Sequence, residues 1–380
     1  MCKEAHTNDI GYDVMNKTAY ACAIACFGSL STHGAMAQSS VNIYGLLDSG
    51  VVYTTNANAA GDAIAKMPTL TGSMPSRVGF RGVEDLGGGL QAVFTLEAGL
   101  HVDNGLMGQG DRLFGRQASV GLRGAYGTLT LGRQVNMTSI AVAKSDVLGP
   151  NLFSLGSIDP YIPNARSDNA IGYLGNFGDF TAGATYSFGR DGSAAGGPPA
   201  TNCPGEVAGD AKACRQATAM LGYDDDRLGA TVSYDIMYGN AGAAAGLTTS
   251  DSNDRRITLN GYAMVGKLRL GSGIIARKRV AATRVNDLES NLYYLGGSYP
   301  LTPKFTLDAQ LSRLAVKGSD SDSTLASLRL TYSLSKRTAV YCLLGRMNNS
   351  GRAAIPLDVG GTVGQGLNQS GVATGIRYAF

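Results

Sequence analysis

The chain has 380 residues, carries 32 basic against 29 acidic side chains for a net charge of +3, and contains 53 glycines, 18 tyrosines and no tryptophan. That length suits one large domain or two ordinary ones. The near balance of charge, with no basic run and no basic helix, argues against a nucleic-acid partner.

The first 37 residues differ from the rest. Met15-Asn16-Lys17 gives a basic start, Ala19 to Leu30 an apolar stretch, and Ala35-Met36-Ala37 a small-x-small cleavage pattern before Gln38. This is the layout of a secretory signal peptide. Residues 1–37 are therefore expected to be an upstream extension plus a leader, with Met15 the natural start and cleavage after Ala37. The apolar stretch is too short to span a bilayer comfortably. Ala23-Ile24-Ala25 lacks the Leu usual ahead of a lipidated cysteine, which speaks against Cys26 as a lipid anchor. Cys2, Cys22 and Cys26 go with the leader. Cys203 and Cys214 share one loop-like stretch, and in an oxidising exported compartment they are expected to close a disulfide. Cys342 stands in a strand-like segment. Neither a metal spacing nor a redox CxxC appears, and no cofactor is implied.

From Gln38 onward one rhythm recurs. Strand-like segments fall at 41–53, 76–84, 90–99, 116–123, 127–134, 166–174, 179–188, 216–224, 227–239, 254–264, 267–277, 290–299, 304–315, 324–334, 337–347 and 370–380. A tilted strand crosses a membrane in about 9–11 residues, which suits most of them. Strands of soluble proteins average about 5–6. Short connections rich in Gly, Asp, Asn and Pro, such as Glu84–Gly89, Arg123–Gly127, Asp224–Arg227 and Val265–Lys267, alternate with long ones at 54–75, 135–165, 189–215, 240–253 and 348–369. No uninterrupted apolar helix follows the leader, and a closed barrel is the other way to satisfy every backbone group in lipid. The expected fold is all-β: a transmembrane antiparallel β-barrel of 16 strands, with short periplasmic turns and long extracellular loops.

Charge placement tests this reading. An Arg or Lys facing lipid at mid-membrane costs about 2–4 kcal/mol, so strand charges should oppose the apolar phase. Arg77 and Arg81 oppose Val78 and Phe80. Glu97 opposes Phe94 and Leu96, Asp235 opposes Val232 and Tyr234, Asp308 opposes Leu307 and Leu311, and Arg329 opposes Leu328 and Leu330. At the end of the chain Val372, Thr374, Ile376, Tyr378 and Phe380 share one face and Arg377 takes the other. Arg116 and Arg133 break the rule, both at loop-side strand ends, where the penalty falls toward zero. A bulge or a subunit contact would absorb them.

Gln38–Asp48, Ser76–Leu90, Phe114–Gly124, Tyr126–Gln134 and the ending Tyr378-Ala379-Phe380 resemble segments of the Gram-negative general porins, notably those of betaproteobacteria. The similarity runs through essentially all of 38–380. It implies a homotrimer of 16-stranded barrels in the outer membrane, in contact with its lipid and lipopolysaccharide. It also implies that Tyr378 and Phe380 form the signal read by the outer-membrane assembly machinery. In that family the third long loop folds inward and narrows the pore. Its counterpart here, 135–165, carries Lys144, Asp146 and Asp159, with Pro150, Pro160 and Pro163 to stiffen it. By the resemblance Arg77 and Arg166 match two constriction arginines, and Gln117 stands at a third. Arg81, Asp146 and Asp159 complete the expected constriction. By simple alternation Arg166 shares its phase with Asp168 and opposes Ile171 and Tyr173.

The expected function is passive diffusion of small hydrophilic solutes and ions, with a modest anion preference. Three alternatives remain. A substrate-specific channel would present an aromatic track, but most strand tyrosines fall on the lipid phase, Tyr44 and Tyr294 being the exceptions. A barrel enzyme generally needs a His base, and the mature chain offers only His101, near Asp103. An adhesin would use the long loops. The run Gly360–Gly366 lacks the Lys-Ser/Thr and helix of a phosphate cradle and reads as the last surface loop.

Overall fold

The computed structural model describes residues 40–69, 72–162, 165–192 and 201–380; the expected leader, with Met15 and its three cysteines, lies outside them, as does Pro163. Sixteen antiparallel strands form one closed ring: β1 (Ser40–Thr54), β2 (Arg77–Gly87), β3 (Leu90–Gly99), β4 (Gln117–Gly124), β5 (Gly127–Val135), β6 (Arg166–Phe177), β7 (Phe180–Ser187), β8 (Gln216–Asp224), β9 (Leu228–Tyr238), β10 (Asn253–Val265), β11 (Leu268–Val280), β12 (Leu288–Pro300), β13 (Phe305–Val316), β14 (Ser323–Ser333), β15 (Thr338–Asn349) and β16 (Gln369–Ala379). All sixteen were expected from alternation, and no end differs by more than three residues. Each strand pairs with its neighbour in sequence. The ring closes through β1, whose first half pairs with β2 from Ser40↔Val83 to Leu46↔Arg77 and whose second half pairs with β16 from Leu46↔Ala379 to Thr54↔Gly371. Closure leaves no edge strand to solvate in lipid. A three-residue strand, Ile64–Lys66, lies beside Val52–Thr54 in the first long loop and was not anticipated. Among the described residues no helix is long and apolar enough to cross a membrane.

The ring is apolar outside and polar inside. Val41, Ile43, Leu221 and Leu295 are each more than 60 % exposed, while Asp48, Ser233, Asp235 and Thr258, on the opposite phase, are buried. The chain ends where its first strand begins: the amide of Gly45 donates to the carbonyl of Phe380 at 3.0 Å and its carbonyl accepts the return bond at 3.1 Å. The Phe380 ring lies directly over Gly45, where a Cβ would sit 2.2 Å from it, so any other residue would push the ring aside. Tyr378 and Phe380 stack outward with centroids 6.2 Å apart, at the depth of the short turns.

The larger apolar cluster lies inside the barrel. Leu152, Phe153, Leu155 and Ile158 of the loop between β5 and β6 pack on Val52, Met237, Ile275, Leu292, Leu325, Leu343 and Met347 from the inner wall. Fully burying a Leu or Phe contributes about 1.5–3 kcal/mol each, enough to hold the loop inside. Two helical turns within it were not foreseen. Helix α1 (Met137–Ala143) begins at Asn136, whose side chain caps the amide of Ser139; α2 (Leu155–Ile158) begins at Ser154, which caps Gly156. A second, smaller cluster in the surface loops surrounds the disulfide that joins Cys203 to Cys214.

Candidate functional site

The inner loop crosses the lumen and follows the wall from β8 round to β16. Thr218 of β8 accepts from the Met137 amide at 3.1 Å, and Thr231 of β9 donates to the carbonyl of Ala141 at 2.7 Å. Tyr294 of β12 bonds Ser145 at 2.6 Å. Arg329 of β14 donates to the carbonyl of Leu148 at 2.8 Å, and Ser327 to that of Phe153 at 2.8 Å. Phe153 then presses against Gly345 of β15, where a Cβ would come within 2.6 Å of its ring. Ser157 donates to the carbonyl of Leu357 in the last long loop at 2.6 Å.

On its return the loop is bolted down by charge. Arg256 of β10, 1 % exposed, grips Asp159 through Nε and Nη2 at 3.1 and 3.0 Å. Arg256 and Arg277 also share Asp254, and Arg277 reaches it at 2.6 Å. Tyr161 lies against Arg256 and Arg190, whose guanidinium carbons are 4.3 and 5.0 Å from its ring centre. Its hydroxyl bonds Asp235, accepts from Asn136 at 2.8 Å and from Gln216 at 2.6 Å. Burial pushes the Asp159 carboxyl up, but Arg256 and Arg277 outweigh it and hold it below the usual carboxylate range. Burial and the Asp235 carboxylate raise the Tyr161 phenol far above its ordinary value.

Asp159 therefore does not face the open lumen as expected; it is an anchor, and its partner Arg256 was missed. The signal was present, because Asp254, Arg256, Thr258 and Asn260 share one phase of β10 opposite Ile257 and Leu259. Asp146 differs from expectation too. Its carboxyl is turned behind the loop toward Gln310, and burial, the largest effect, raises it above the ordinary range against the opposing influence of Gln310 and Arg329. Neither acid is paired with Arg77, Arg81 or Arg166 among the described residues. Lys144 is paired with Asp224.

The remaining predicted residues gather on the wall of β2–β6, which the loop leaves uncovered. Arg77 and Arg81 point inward from β2 as alternation required, facing Leu46 and Asn42 of β1. Arg81 is exposed and stacks 4.4 Å from the ring centre of Tyr44. Gln117 faces the same recess beside Arg81, Arg123 and Thr130. A single acid, Glu97 of β3, sits behind them at 3 % exposure. It accepts from Arg116 at 2.6 Å and from the Tyr44 hydroxyl at 2.9 Å, with Arg77 Nε at 3.7 Å. Glu97 was placed on the inner face by its phase, but nothing in the sequence tied it to this cluster. Arg166 is buried, with Arg116, Arg133, Arg190 and Glu97 as its charged neighbours.

The two exceptions to the charge rule are now explained. Arg116 lies just before β4 and turns in to Glu97. Arg133 sits in a bulge: Gly132 pairs with Ala170 but Gln134 with Ser167, and Asn169 opposite takes a φ of 46°. The bulge lets Arg133 meet Asp168, which Arg112 also reaches at 3.0 Å. It also breaks the alternation that set Arg166 and Asp168 opposite Ile171 and Tyr173, because Ser167 now shares the face of Ala170. Ser167 instead faces inward and donates to Gln216 at 2.7 Å.

Tyr262 and Tyr341 face inward as well as Tyr44 and Tyr294, and all four are engaged: Tyr262 donates to Asp224 and Tyr341 to Asp48, each at 2.6 Å. Tyr44 lies between Glu97 and Arg81, and Tyr294, 3 % exposed, between Ser145 and Asn260. They do not form a track. His101 lies in the loop after β3, and Asp103 accepts from Thr69 at 3.0 Å. Among the described residues no group of His, Cys, Asp and Glu is disposed to hold a metal ion.

A family model described as Gram-negative porin matches residues 21–352. Outer membrane porin protein 32 of Delftia acidovorans is 31% identical over 385 residues, covering 96% of this chain and 100% of that protein. An outer membrane porin of Bordetella pertussis is 31% identical, covering 86% of this chain and 93% of its own. Among solved structures, an anion-selective porin from Comamonas acidovorans superposes with a TM-score of 0.72 at 28% identity, covering 90% of this chain and 100% of that one.

Proposed function

Because this chain belongs to the Gram-negative porin family and is a multi-pass barrel of the outer membrane, we propose that its lumen is a general diffusion path for small hydrophilic solutes and ions with a modest anion preference. The observation that carries the preference is the lopsided throat. Arg77, Arg81, Arg116 and Arg166 crowd one wall around the buried acid Glu97, while the acids of the loop are turned away. A unit charge about 8 Å from an ion in water contributes roughly 0.5 kcal/mol, about a twofold bias, and salt screens over about 8 Å. Several such charges acting together give several-fold selectivity. The similar porin from Comamonas acidovorans is anion-selective, which supports the same sign here.

The engaged tyrosines favour general diffusion over a specific aromatic-lined channel. The relatives are channels, and the surroundings of His101 give no support to an enzyme. We extend the reading to a homotrimer, to removal of residues 1–37 on export, and to recognition of Tyr378 and Phe380 by the assembly machinery. The test is a planar bilayer with purified mature protein in a salt gradient. Stepwise conductance with a reversal potential of anion sign is expected. A cation sign would refute the preference, and absence of steps would refute the pore.

A further inference from the structure

The water-facing phase of the barrel is not polar throughout. On the wall that the inner loop leaves uncovered, toward the short turns, Val83 of β2, Val93 of β3 and Leu174 of β6 fall on the inward phase. Helix α1 lays Met137 and Ile140 beside them, and together they line a recess of ≈ 300 Å³ that opens to the lumen. That size lies at the lower end for small-molecule sites. Leu174 and Ile140 are only half-buried, so their apolar surface meets the water of the lumen. The ladder fixes the arrangement. Arg123 is opposite Thr128, which is opposite Leu174; one inward step higher, Val83 pairs with Val93.

Two cations flank these apolar groups. Arg81 and Arg123 are both exposed, and among the described residues neither makes an ion pair. Arg81 stacks on Tyr44. Two acids face this wall. Asp85 lies two strands from Arg123 across Gln91, and its carboxylate accepts from the amide of Gly87 at 2.9 Å. Glu97 is taken by Arg116 and Tyr44. The recess therefore offers a cation at one side and uncovered hydrocarbon at the other. A hydrophilic anion uses only the first, and a neutral apolar solute only the second.

We propose that this recess is a subsite for small organic monoanions with an apolar body, of the aryl carboxylate class. The carboxylate meets Arg123 in a charge-assisted pair, and the ring lies against Leu174 and Ile140, releasing water from both. Arg123 and Leu174 stand two strands apart, roughly 10 Å at the backbone, a span that an arginine side chain and one ring together close. The proposal deepens the diffusion reading and rests on it for the solute's route to the site.

The test follows benzoate by ligand-observed NMR in titrations of purified mature protein in detergent, with detergent alone as the blank. Benzoate should bind about tenfold more tightly than acetate, because only its ring covers the apolar wall. Arg123→Gln should weaken benzoate about tenfold. Leu174→Thr should weaken it about threefold and leave acetate unchanged, and Ile140→Ser in the loop asks the same question without touching a strand. Heat-modifiable migration on gels checks that each variant is a closed barrel. Acetate or benzyl alcohol binding as tightly as benzoate would overturn the proposal, and so would unchanged benzoate binding by Arg123→Gln. Wild-type protein that conducted but bound no benzoate would overturn it too and leave the pore reading intact. Protein that bound benzoate with these dependences but gave no conductance steps would sink the pore reading and leave the subsite standing.

Discussion

Replacing Glu97 by Gln removes the negative charge at the centre of a cluster that holds Arg77, Arg81, Arg116 and Arg166. Gln is nearly isosteric; its Oε1 still accepts from Arg116, and its Nε2 can donate to the Tyr44 hydroxyl in place of the bond Tyr44 now donates, so the geometry should persist. Glu97 lies one contact behind Arg77 and Tyr44, which puts a passing ion about 8 Å away, where the lost charge is worth roughly 0.5 kcal/mol unscreened. The anion gains that amount and the cation loses it. The anion-to-cation permeability ratio should therefore rise about sixfold at low salt, falling to about twofold near physiological strength, where one screening length has been crossed. Reversal potentials in potassium chloride gradients at several mean concentrations measure the ratio directly. A ratio that stayed constant, moved toward cations, or rose without any dependence on salt would refute the electrostatic account of the throat.

Three further changes test other parts. Asp159→Asn strips Arg256 of its main counter-charge; breaking a buried pair typically costs about 3–5 kcal/mol, and the loosened loop should show as current noise in single-channel records. The same anchor sets a pH dependence. Because the Asp159 carboxyl is held below its unfolded value, its stabilisation is present above the ordinary carboxylate range and is lost only as pH falls through the lowered value, so wild-type noise should begin only in strong acid. Reducing the Cys203–Cys214 bond, with a sequence separation of 11, should cost about 3 kcal/mol of local order; proteolysis of that surface loop should quicken while conductance stays the same. Phe380→Ala uncovers Gly45 at the seam and should lower the amount of heat-modifiable, folded protein recovered from membranes, with unchanged conductance in what does assemble.

The barrel was legible because lipid enforces a period of two on every strand. Val78, Phe80, Phe94, Val232 and Leu328 each advertise their face independently, and errors do not accumulate from one strand to the next. Arg77 and Arg81 were placed by that same rule, whereas Gln117 came from the resemblance. It stops at the strand ends. The bulge opposite Arg133 inserts one residue into β6 where nothing in Ser167–Ala170 announces it, and the opposition inferred between Arg166 and Ile171 fails with it. The inner loop obeys no period at all. Whether Asp159 faces water or Arg256 depends on a partner about a hundred residues away, and the apolar run Leu152–Ile158 reveals burial without revealing against what. Glu97 illustrates the middle case, its face readable and its company not.

The seam between β1 and β16 joins residues at opposite ends of the polypeptide, with Leu46 beside Ala379. No register of that seam can be completed until β16 has followed β1 across the inner membrane. The nascent chain must travel as an unsealed ribbon with two open margins, exposed to any other strand it meets. Guarding those margins is a task the finished cylinder never has to perform, and it falls to whatever escorts the ribbon through the periplasm.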